Sequence, residues 1–228
     1  MAGVVRNSRI SSVKIQLIIL LMTVIIGQSM AQETDSRKGF KHVMGVKVGQ
    51  NYSWINLEPT VDQNMLTGPV IGISYLYMSQ YFGGILIEAQ YIQYGWEEVF
   101  LDNTNSYSRE LSYLELPILT NLVLGRKKTH LKVQAGIKFD ILLNDKENSN
   151  LPEEQLQYYN GLAIDDPVEL GLAFGASISR VFPFGELQLD GRYNAGLSNL
   201  FDPTEDLSLL YSQNQALTFS VYYWFKVK

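Results

Sequence analysis

After residue 40 the chain alternates between apolar and polar side chains with a period of two, in one segment after another. The pattern is clearest in the fifth segment, where Leu131 and Val133 alternate with Lys132 and Gln134. A period of two is typical of a β-strand with one apolar face, whereas an amphipathic helix repeats about every 3.6 residues. Eight segments are therefore predicted as strands: 41–51, 70–78, 85–96, 109–124, 129–142, 167–181, 186–197 and 215–227.

The lengths of the strands and of their connections indicate a membrane barrel. Ordinary globular strands average about five or six residues, whereas a tilted strand needs ~9–11 residues to cross a bilayer. The connections 51–69, 97–108, 143–166 and 198–214 are long, and 79–84, 125–128 and 182–185 are short. Transmembrane barrels combine short periplasmic turns with longer external loops. The pattern predicts an all-β fold, an eight-stranded antiparallel up-and-down transmembrane β-barrel with periplasmic termini and four longer external loops.

Alternation alone does not say which face meets lipid, because a soluble barrel would turn its polar face outward. The polar faces also carry small residues such as Gly136 and Gly171, which suit a crowded interior. They carry charges of both signs as well, and buried charges need such pairing. We therefore predict a structural charge network in the lumen, formed by Lys47, Glu88, Glu115, Lys132, Lys138, Asp140, Glu169, Asp190 and Arg192. Side chains fill the interior of an eight-stranded barrel, which predicts a polar plug rather than a pore.

Aromatic residues concentrate near the predicted strand ends. A periplasmic girdle is expected from Phe40, Tyr77, Tyr81, Phe82, Phe182, Phe184, Tyr223 and Phe225. Near the external ends, Tyr52, Trp54 and Trp96 are expected to anchor the barrel in the headgroup layer, with ligand binding as the alternative. Pro117 falls inside the fourth strand, where it removes a ladder donor, and therefore predicts a bulge.

The first 31 residues have the pattern of a cleaved signal peptide. Basic residues precede an apolar run at 15–26, and Ser29-Met30-Ala31 forms a small-x-small cleavage site. The alternative is an N-terminal membrane anchor, but the run is shorter than the ~20 residues that a spanning helix needs. The predicted organisation is a signal peptide at 1–31, a short periplasmic segment at 32–40 and an outer-membrane barrel domain at 41–228.

Three stretches carry a resemblance to a known family. Residues 45–53 are Gly-Val-Lys-Val-Gly-Gln-Asn-Tyr-Ser, residues 113–119 are Tyr-Leu-Glu-Leu-Pro-Ile-Leu, and residues 191–200 are Gly-Arg-Tyr-Asn-Ala-Gly-Leu-Ser-Asn-Leu. In this order they resemble the first strand, the most recognisable motif and the penultimate strand of the PorT-type outer-membrane β-barrel family of Bacteroidetes. Thr120-Asn121 departs from that pattern. The resemblance implies an outer-membrane barrel and, through the member that names the family, a part in type IX protein secretion.

Composition and candidate chemistry give no sign of an enzyme. The chain has no cysteine, which excludes disulfides and thiol sites, and its net charge of −5 lacks the basic excess of a nucleic-acid binder. His42 and His130 are expected at periplasmic strand ends on different strands, as rim residues without a metal-ligand cluster. We therefore predict no catalytic residues, no cofactor and no metal.

Paired carboxylates occur in the long connections, at Glu97-Glu98, Glu153-Glu154 and Asp165-Asp166. We expect a solvated acidic rim, with divalent-cation binding that bridges lipopolysaccharide phosphates as the alternative.

Three functional hypotheses remain open, and an outer-membrane enzyme that would depend on His42 or His130 is the least favoured fourth. The first is a non-enzymatic integral outer-membrane protein whose loops, chiefly 143–166, contact partners outside the cell; outer-membrane lipid and lipopolysaccharide are its expected surroundings. The second is an accessory component of an envelope protein secretion machine of the type IX kind, with other secretion proteins as partners. The third is a soluble periplasmic ligand-binding barrel with the two faces reversed. The exposure of the apolar stripes separates the third from the others.

Overall fold

The computed structural model describes residues 41–58, 60–80, 83–100, 105–125, 128–152, 162, 164, 166–201 and 211–225. The predicted signal peptide at 1–31 and the segment at 32–40 lie outside these residues, as do Phe40, Tyr81 and Phe82 of the predicted girdle. Both the leader and the domain boundaries stay predictions. In the described part of the chain, no helix is long and apolar enough to span a membrane.

Eight antiparallel strands close into one barrel, as predicted. They are β1 (Lys41–Glu58), β2 (Gln63–Gln80), β3 (Gly83–Glu98), β4 (Tyr107–Leu124), β5 (Thr129–Ser149), β6 (Val168–Phe182), β7 (Gly185–Gly196) and β8 (Tyr211–Phe225). Each strand pairs with the next along the chain, and β8 pairs with β1. The barrel has a short-turn end, with connections 81–82, 125–128 and 183–184, and an opposite long-loop end.

Several strands extend farther toward the long-loop end than the sequence predicts. The segment 51–69 was expected to be a loop, but β1 continues to Glu58 and β2 begins at Gln63, so only residues 59–62 connect them. The side chains facing outward here include the exposed Asn56 and Glu58. The apolar stripe therefore ends before the strand does, because backbone pairing continues past the level where the outer face needs to be apolar.

The register gives the barrel a definite shear. Following paired residues once around the sheet from Met44 leads back to β1 at Trp54, ten residues farther along. A displaced register requires tilted strands, of about 35–45° in barrels of this kind. Residues on one strand thus meet partners at staggered positions around the lumen.

Pro117 does not produce the predicted bulge. The register between β3 and β4 is the same on both sides of it, from Ile87↔Ile118 to Gln90↔Glu115, although the pairings in between are missing from the ladder. The irregularity on β4 lies instead between Ser112 and Tyr113, opposite β5. A missing N–H removes a hydrogen bond without adding a residue, so the strand keeps its count across the proline.

A second irregularity shows how interior side chains complete the sheet. The β2–β3 ladder shifts register between Met65 and Val70. Ser53 of β1 reaches the unpaired stretch of β3, where its Oγ donates to the carbonyl oxygen of Gly95 (3.0 Å) and accepts from the Gly95 N–H (2.9 Å). A side-chain hydroxyl thus takes the place of the missing backbone partner.

The apolar stripes face outward. Met44, Val48 and Ile73 are 58%, 58% and 62% exposed, whereas Lys47 between the first two is 2% exposed. A soluble barrel would show the reverse, so the hypothesis of a periplasmic barrel with reversed faces is wrong. The exposed stripes match the outer apolar band of a transmembrane barrel.

Aromatic side chains flank this band at both ends. At the short-turn end the Phe182 and Phe184 rings stack at 5.2 Å, and Tyr223 packs edge-on against Phe225 at 5.1 Å. At the long-loop end Tyr52 and Trp54 are half-buried on the outer face. Trp96 is different, because it points inward and is fully buried, so its predicted role as a headgroup anchor is wrong.

Candidate functional site: the charged barrel interior

The structure places all nine predicted lumen residues inside the barrel. Each of them is at most 5% exposed. Eight of them form two networks of four, and the ninth, Lys132, pairs with Glu186, which was not among the predicted residues. The sequence assigns them to the interior through their alternation with the exposed apolar stripe.

Arg192 is the hub of the first network. Its Nη1 donates to Glu88 Oε2 at 2.6 Å, and its Nη2 donates to Gln134 Oε1 at 3.0 Å and to Tyr222 Oη at 2.9 Å. Its Nε lies 3.7 Å from Asp190 Oδ1. One guanidinium from β7 therefore holds side chains of β3, β5 and β8, which crosses the whole lumen.

Glu88 is the matching anion of this hub. Besides Arg192, it accepts from Lys47 Nζ at 3.3 Å, from Ser74 Oγ at 3.2 Å and from Tyr222 Oη at 2.7 Å. Its two oxygens are thereby paired with four donors from four strands. A buried charge is tolerated when hydrogen bonds satisfy it in this way.

The second network lies toward the long-loop end and centres on Lys138. Its Nζ donates to Glu115 Oε2 at 3.2 Å, to Tyr94 Oη at 3.0 Å and to Asp140. Tyr113 and Asn214 donate to Glu169, the remaining acid of this network.

The three acids of the second network stand side by side. Glu115 pairs with Asp140 across β4 and β5, and Asp140 pairs with Glu169 across β5 and β6. Like charges directly opposite each other destabilise a sheet. Lys138, with its three hydrogen bonds, offsets part of that repulsion.

Space for Lys138 comes from a glycine on the neighbouring strand. Gly171 pairs with Lys138 across β5 and β6. A Cβ added at Gly171 would lie 2.7 Å from Lys138 Cε and 2.7 Å from the carbonyl oxygen of Ala195. The glycines on the polar faces therefore give room to long charged side chains, as their positions in the sequence suggested.

Lys132 forms the isolated pair near the short-turn end. Its Nζ lies 2.6 Å from Glu186 Oε1 and donates to Gln188 Oε1 at 2.8 Å. It also lies over the Trp224 ring, 5.5 Å from the centroid. Trp224 belongs to the smaller apolar cluster of the interior, which comprises Val43, Leu76, Leu86, Leu119, Ala173, Tyr222 and Trp224.

A larger apolar cluster closes the long-loop end. Its buried members are Ile55, Leu57, Val70, Ile92, Tyr94, Trp96, Tyr107, Leu111, Tyr113, Leu200, Phe201 and Ala216. Leu200 and Phe201 come from the described first part of the connection after β7, residues 197–201, and pack into this cluster. The predicted polar plug therefore describes the middle of the lumen, whereas the side chains at this end are apolar.

The sequence analysis missed Arg109. It is 2% exposed, and its Nε and Nη2 bind both carboxylate oxygens of Asp145 at 2.9 and 2.5 Å. Its Nη2 also donates to the carbonyl oxygen of Leu162 at 2.7 Å, and its guanidinium lies over the Phe201 ring at 5.2 Å. Arg109 of β4 thus contacts one residue from each of two long connections, Leu162 and Phe201. Its position in the sequence, in phase with the inward-facing Glu115, could have revealed it.

Among the described residues, the two histidines and the acidic pairs lie apart from one another. His42 is exposed and contacts Tyr75 Oη at 2.5 Å, whereas His130 is half-buried on another strand. Glu97 and Glu98 belong to the end of β3 rather than to a loop, and Glu98 is buried. Glu153, Glu154 and Asp165 lie outside the described residues. Among the described residues, no group of three or more His, Asp or Glu side chains could hold a metal ion.

A closed eight-stranded barrel with an exposed apolar band and a charged interior defines a transmembrane barrel of the bacterial outer membrane. The chain belongs to the outer membrane protein beta-barrel domain family, whose model matches residues 30–202. The protein is accordingly located in the outer membrane.

The chain is similar to several solved structures, among them the outer membrane protein OprG. OprG of Pseudomonas aeruginosa gives a TM-score of 0.46 at 11% identity, covering 84% of this chain and 98% of that one. Ail, the attachment invasion locus protein of Yersinia pestis, gives 0.41 at 11% identity, covering 83% of this chain and 100% of that one. Neisserial surface protein A gives 0.41 at 10% identity, covering 82% and 99%. No curated protein matches the chain.

Proposed function

We propose that the protein is a non-enzymatic barrel with a sealed lumen, and that its long-loop end makes contacts outside the cell. The observation that carries this proposal is that the inward-facing side chains of the described strands are buried against one another. An apolar cluster lies at each end, and the two charge networks lie between them. A solute would have to break buried ion pairs and displace packed aromatic rings to pass.

The burial of the charged residues argues against catalysis. Glu115, Glu169 and Lys138 are at most 1% exposed and already hydrogen-bonded to one another or to neighbouring side chains. A general acid or base must reach its substrate directly or through one water. These groups cannot meet a substrate in the described structure, and we infer that their role is to fill and brace the barrel.

The long-loop end carries an acidic surface. Among the described residues there, Glu58, Asp62 and Glu97 are exposed acids, and Lys146 is the exposed basic residue; Asp145 is paired with Arg109. Such a surface favours cationic partners or divalent cations, through attraction that salt screens beyond about 10 Å. We infer that contacts made outside the cell use this surface.

Bilayer conductance tests the sealed lumen. The full-length mature barrel, inserted into planar bilayers, should give no steady current, while an open porin inserted under the same conditions should conduct. Steady ohmic conductance by the barrel would overturn the proposal.

Replacing both His42 and His130 by glutamine should leave membrane insertion and the folded barrel unchanged.

A second candidate function, as an accessory of a type IX-like secretion machine, draws on the PorT-type resemblance. Several residues of the resembling stretches, including Tyr113, Glu115 and Arg192, are interior residues of the charge networks. These residues support a shared barrel interior more directly than a shared partner. Co-purification of envelope proteins in mild detergent tests the role, and a deletion strain with intact secretion would exclude it.

A further inference from the structure

The second network contains more buried anions than cations. It has the carboxyl groups of Glu115, Asp140 and Glu169 but the ammonium group of Lys138 alone, and none of the four residues is more than 1% exposed. The first network, in contrast, has two cations and two anions. An ionised carboxylate without compensation is costly to bury, and such a group takes up a proton instead. The charge imbalance therefore calls for a further positive charge in the second network.

The other cations of the interior are bound elsewhere. Lys47 of β1 and Arg192 of β7 both pair with Glu88 of the first network, at 3.3 and 2.6 Å. The strands β2 and β8 contain no charged residue. At the two ends of the barrel the cations pair with acids outside the second network, Arg109 with Asp145 and Lys132 with Glu186.

Asp140 and Glu169 are the two acids with incomplete compensation. They lie directly opposite each other on β5 and β6, with both side chains inside the barrel. Lys138 contacts Asp140 but leaves Asp140 Oδ1 without a hydrogen-bond partner among the described residues. Glu169 accepts from the neutral Tyr113 and Asn214, and no described cation lies within ion-pair distance of it.

Glu115, the third acid, is satisfied as an anion. It accepts from Lys138 Nζ at 3.2 Å, from Tyr94 Oη at 2.7 Å and from the Gln90 amide. Hydrogen bonds to the charged form keep a carboxyl group ionised. A proton on the pair of Asp140 and Glu169, in contrast, turns one acceptor into an O–H donor at a level where the buried Asp140 Oδ1 lacks a donor.

We propose that Asp140 and Glu169 share one bound proton in the folded barrel at neutral pH. The pair then carries one negative charge instead of two, as in other acid pairs whose like charges lie too close for both groups to ionise. The unfolded chain ionises both groups at this pH, so folding takes up one proton. Rising pH therefore favours the unfolded chain and weakens the barrel.

The pH dependence of unfolding tests this proton. The full-length mature barrel would be titrated with urea in detergent micelles at several pH values between about 7 and 9, where ordinary carboxyl groups are ionised. The ratio of folded to unfolded protein should fall about tenfold more steeply per pH unit in the wild type than in D140N or E169Q. Each variant leaves a single carboxyl group at the pair, which has no second acid to share a proton with.

T218V is the matched control. It removes a buried hydroxyl group that bonds Asn51 and Asn194, and it changes no charge. It should lower the ratio by the same factor at every pH and so keep the wild-type slope. A flattened slope in T218V would show that the slope follows stability in general, which would overturn the proposal.

Infrared difference spectra give a readout on the folded barrel itself. At about pH 8 the wild type should show the C=O band of a protonated carboxyl group, which should be absent from D140N and E169Q. Equal pH slopes in the wild type and both variants, or no such band, would overturn the proposal. A ratio that rises with NaCl concentration and does not respond to pH would also overturn it, because the counter-charge would then be a metal cation. If one of the two variants fails to fold, the other decides the question.

Discussion

Replacing Arg192 by leucine should destabilise the barrel more than any exposed charge replacement. The variant keeps an apolar side chain in the lumen but removes the cation that joins Glu88, Gln134 and Tyr222. Removing one partner of a buried ion pair costs about 3–5 kcal/mol, because the other charge stays buried without compensation. Lys47 remains 3.3 Å from Glu88 Oε2, which moves the expected cost toward the lower end of that range.

A double-mutant cycle isolates the ion pair from the rest of the network. In R192L/E88Q both charges of the pair are gone, and Lys47 and Asp190 remain as one cation and one anion. The double variant should therefore cost clearly less than the sum of R192L and E88Q, with a coupling energy of about 2 kcal/mol or more. Arg180 is exposed at the short-turn end, so R180L serves as the control and should cost less than about 1 kcal/mol.

The free energies of unfolding can be obtained from reversible urea titrations in detergent micelles or lipid vesicles, followed by tryptophan fluorescence. Trp96 and Trp224 are both buried in the interior, so their emission reports on loss of the folded barrel. The reasoning would be refuted if the free energy of unfolding of R192L lay within about 1 kcal/mol of the wild-type value. It would also be refuted if the effects of R192L and E88Q on that free energy were simply additive. Either result would mean that the hydrogen bonds around Arg192 do not brace the lumen.

Two further predictions concern other parts of the interior. G171A should lower the free energy of unfolding by about 1–3 kcal/mol in the same titration, because the new methyl group would lie 2.7 Å from Lys138 Cε. G191A is the control and should be near neutral, because its methyl group would have no atom closer than 3.6 Å. Equal losses in the two variants would contradict the packing argument. R109Q should make the connections at the long-loop end more sensitive to protease on intact cells, while K146Q at an exposed position of the same end should not; unchanged cleavage of R109Q would show that these connections are held by other contacts.

Much of the fold could be predicted because the two faces of a β-strand appear in the sequence as alternating residues. Side chains one residue apart point to opposite faces, so the alternation places Lys138 inside and Ile137 outside whatever the partner strands are. The predictions failed where a residue was assigned by its type alone, without asking whether its position in the alternation faces inward or outward. Trp96 was assigned to the headgroup layer for being a tryptophan near a strand end, although it shares its phase with the inward-facing Glu88.

The alternation of side chains along the chain is enough to give the number of strands, their two faces and most of the charges in the lumen. Which of those charges meet depends on how the strands are paired in the closed barrel. Sliding one strand by two residues keeps every side chain on its face but changes every partner across the barrel, so alternation cannot fix the register. The closure of β8 on β1 and the ten-residue shear bring Arg192 to Glu88, 104 residues away in the chain. Arg109 meets Asp145 through the register of the neighbouring strands β4 and β5, and it meets Phe201 through the folding of the connection after β7; the alternation of side chains predicts neither partner.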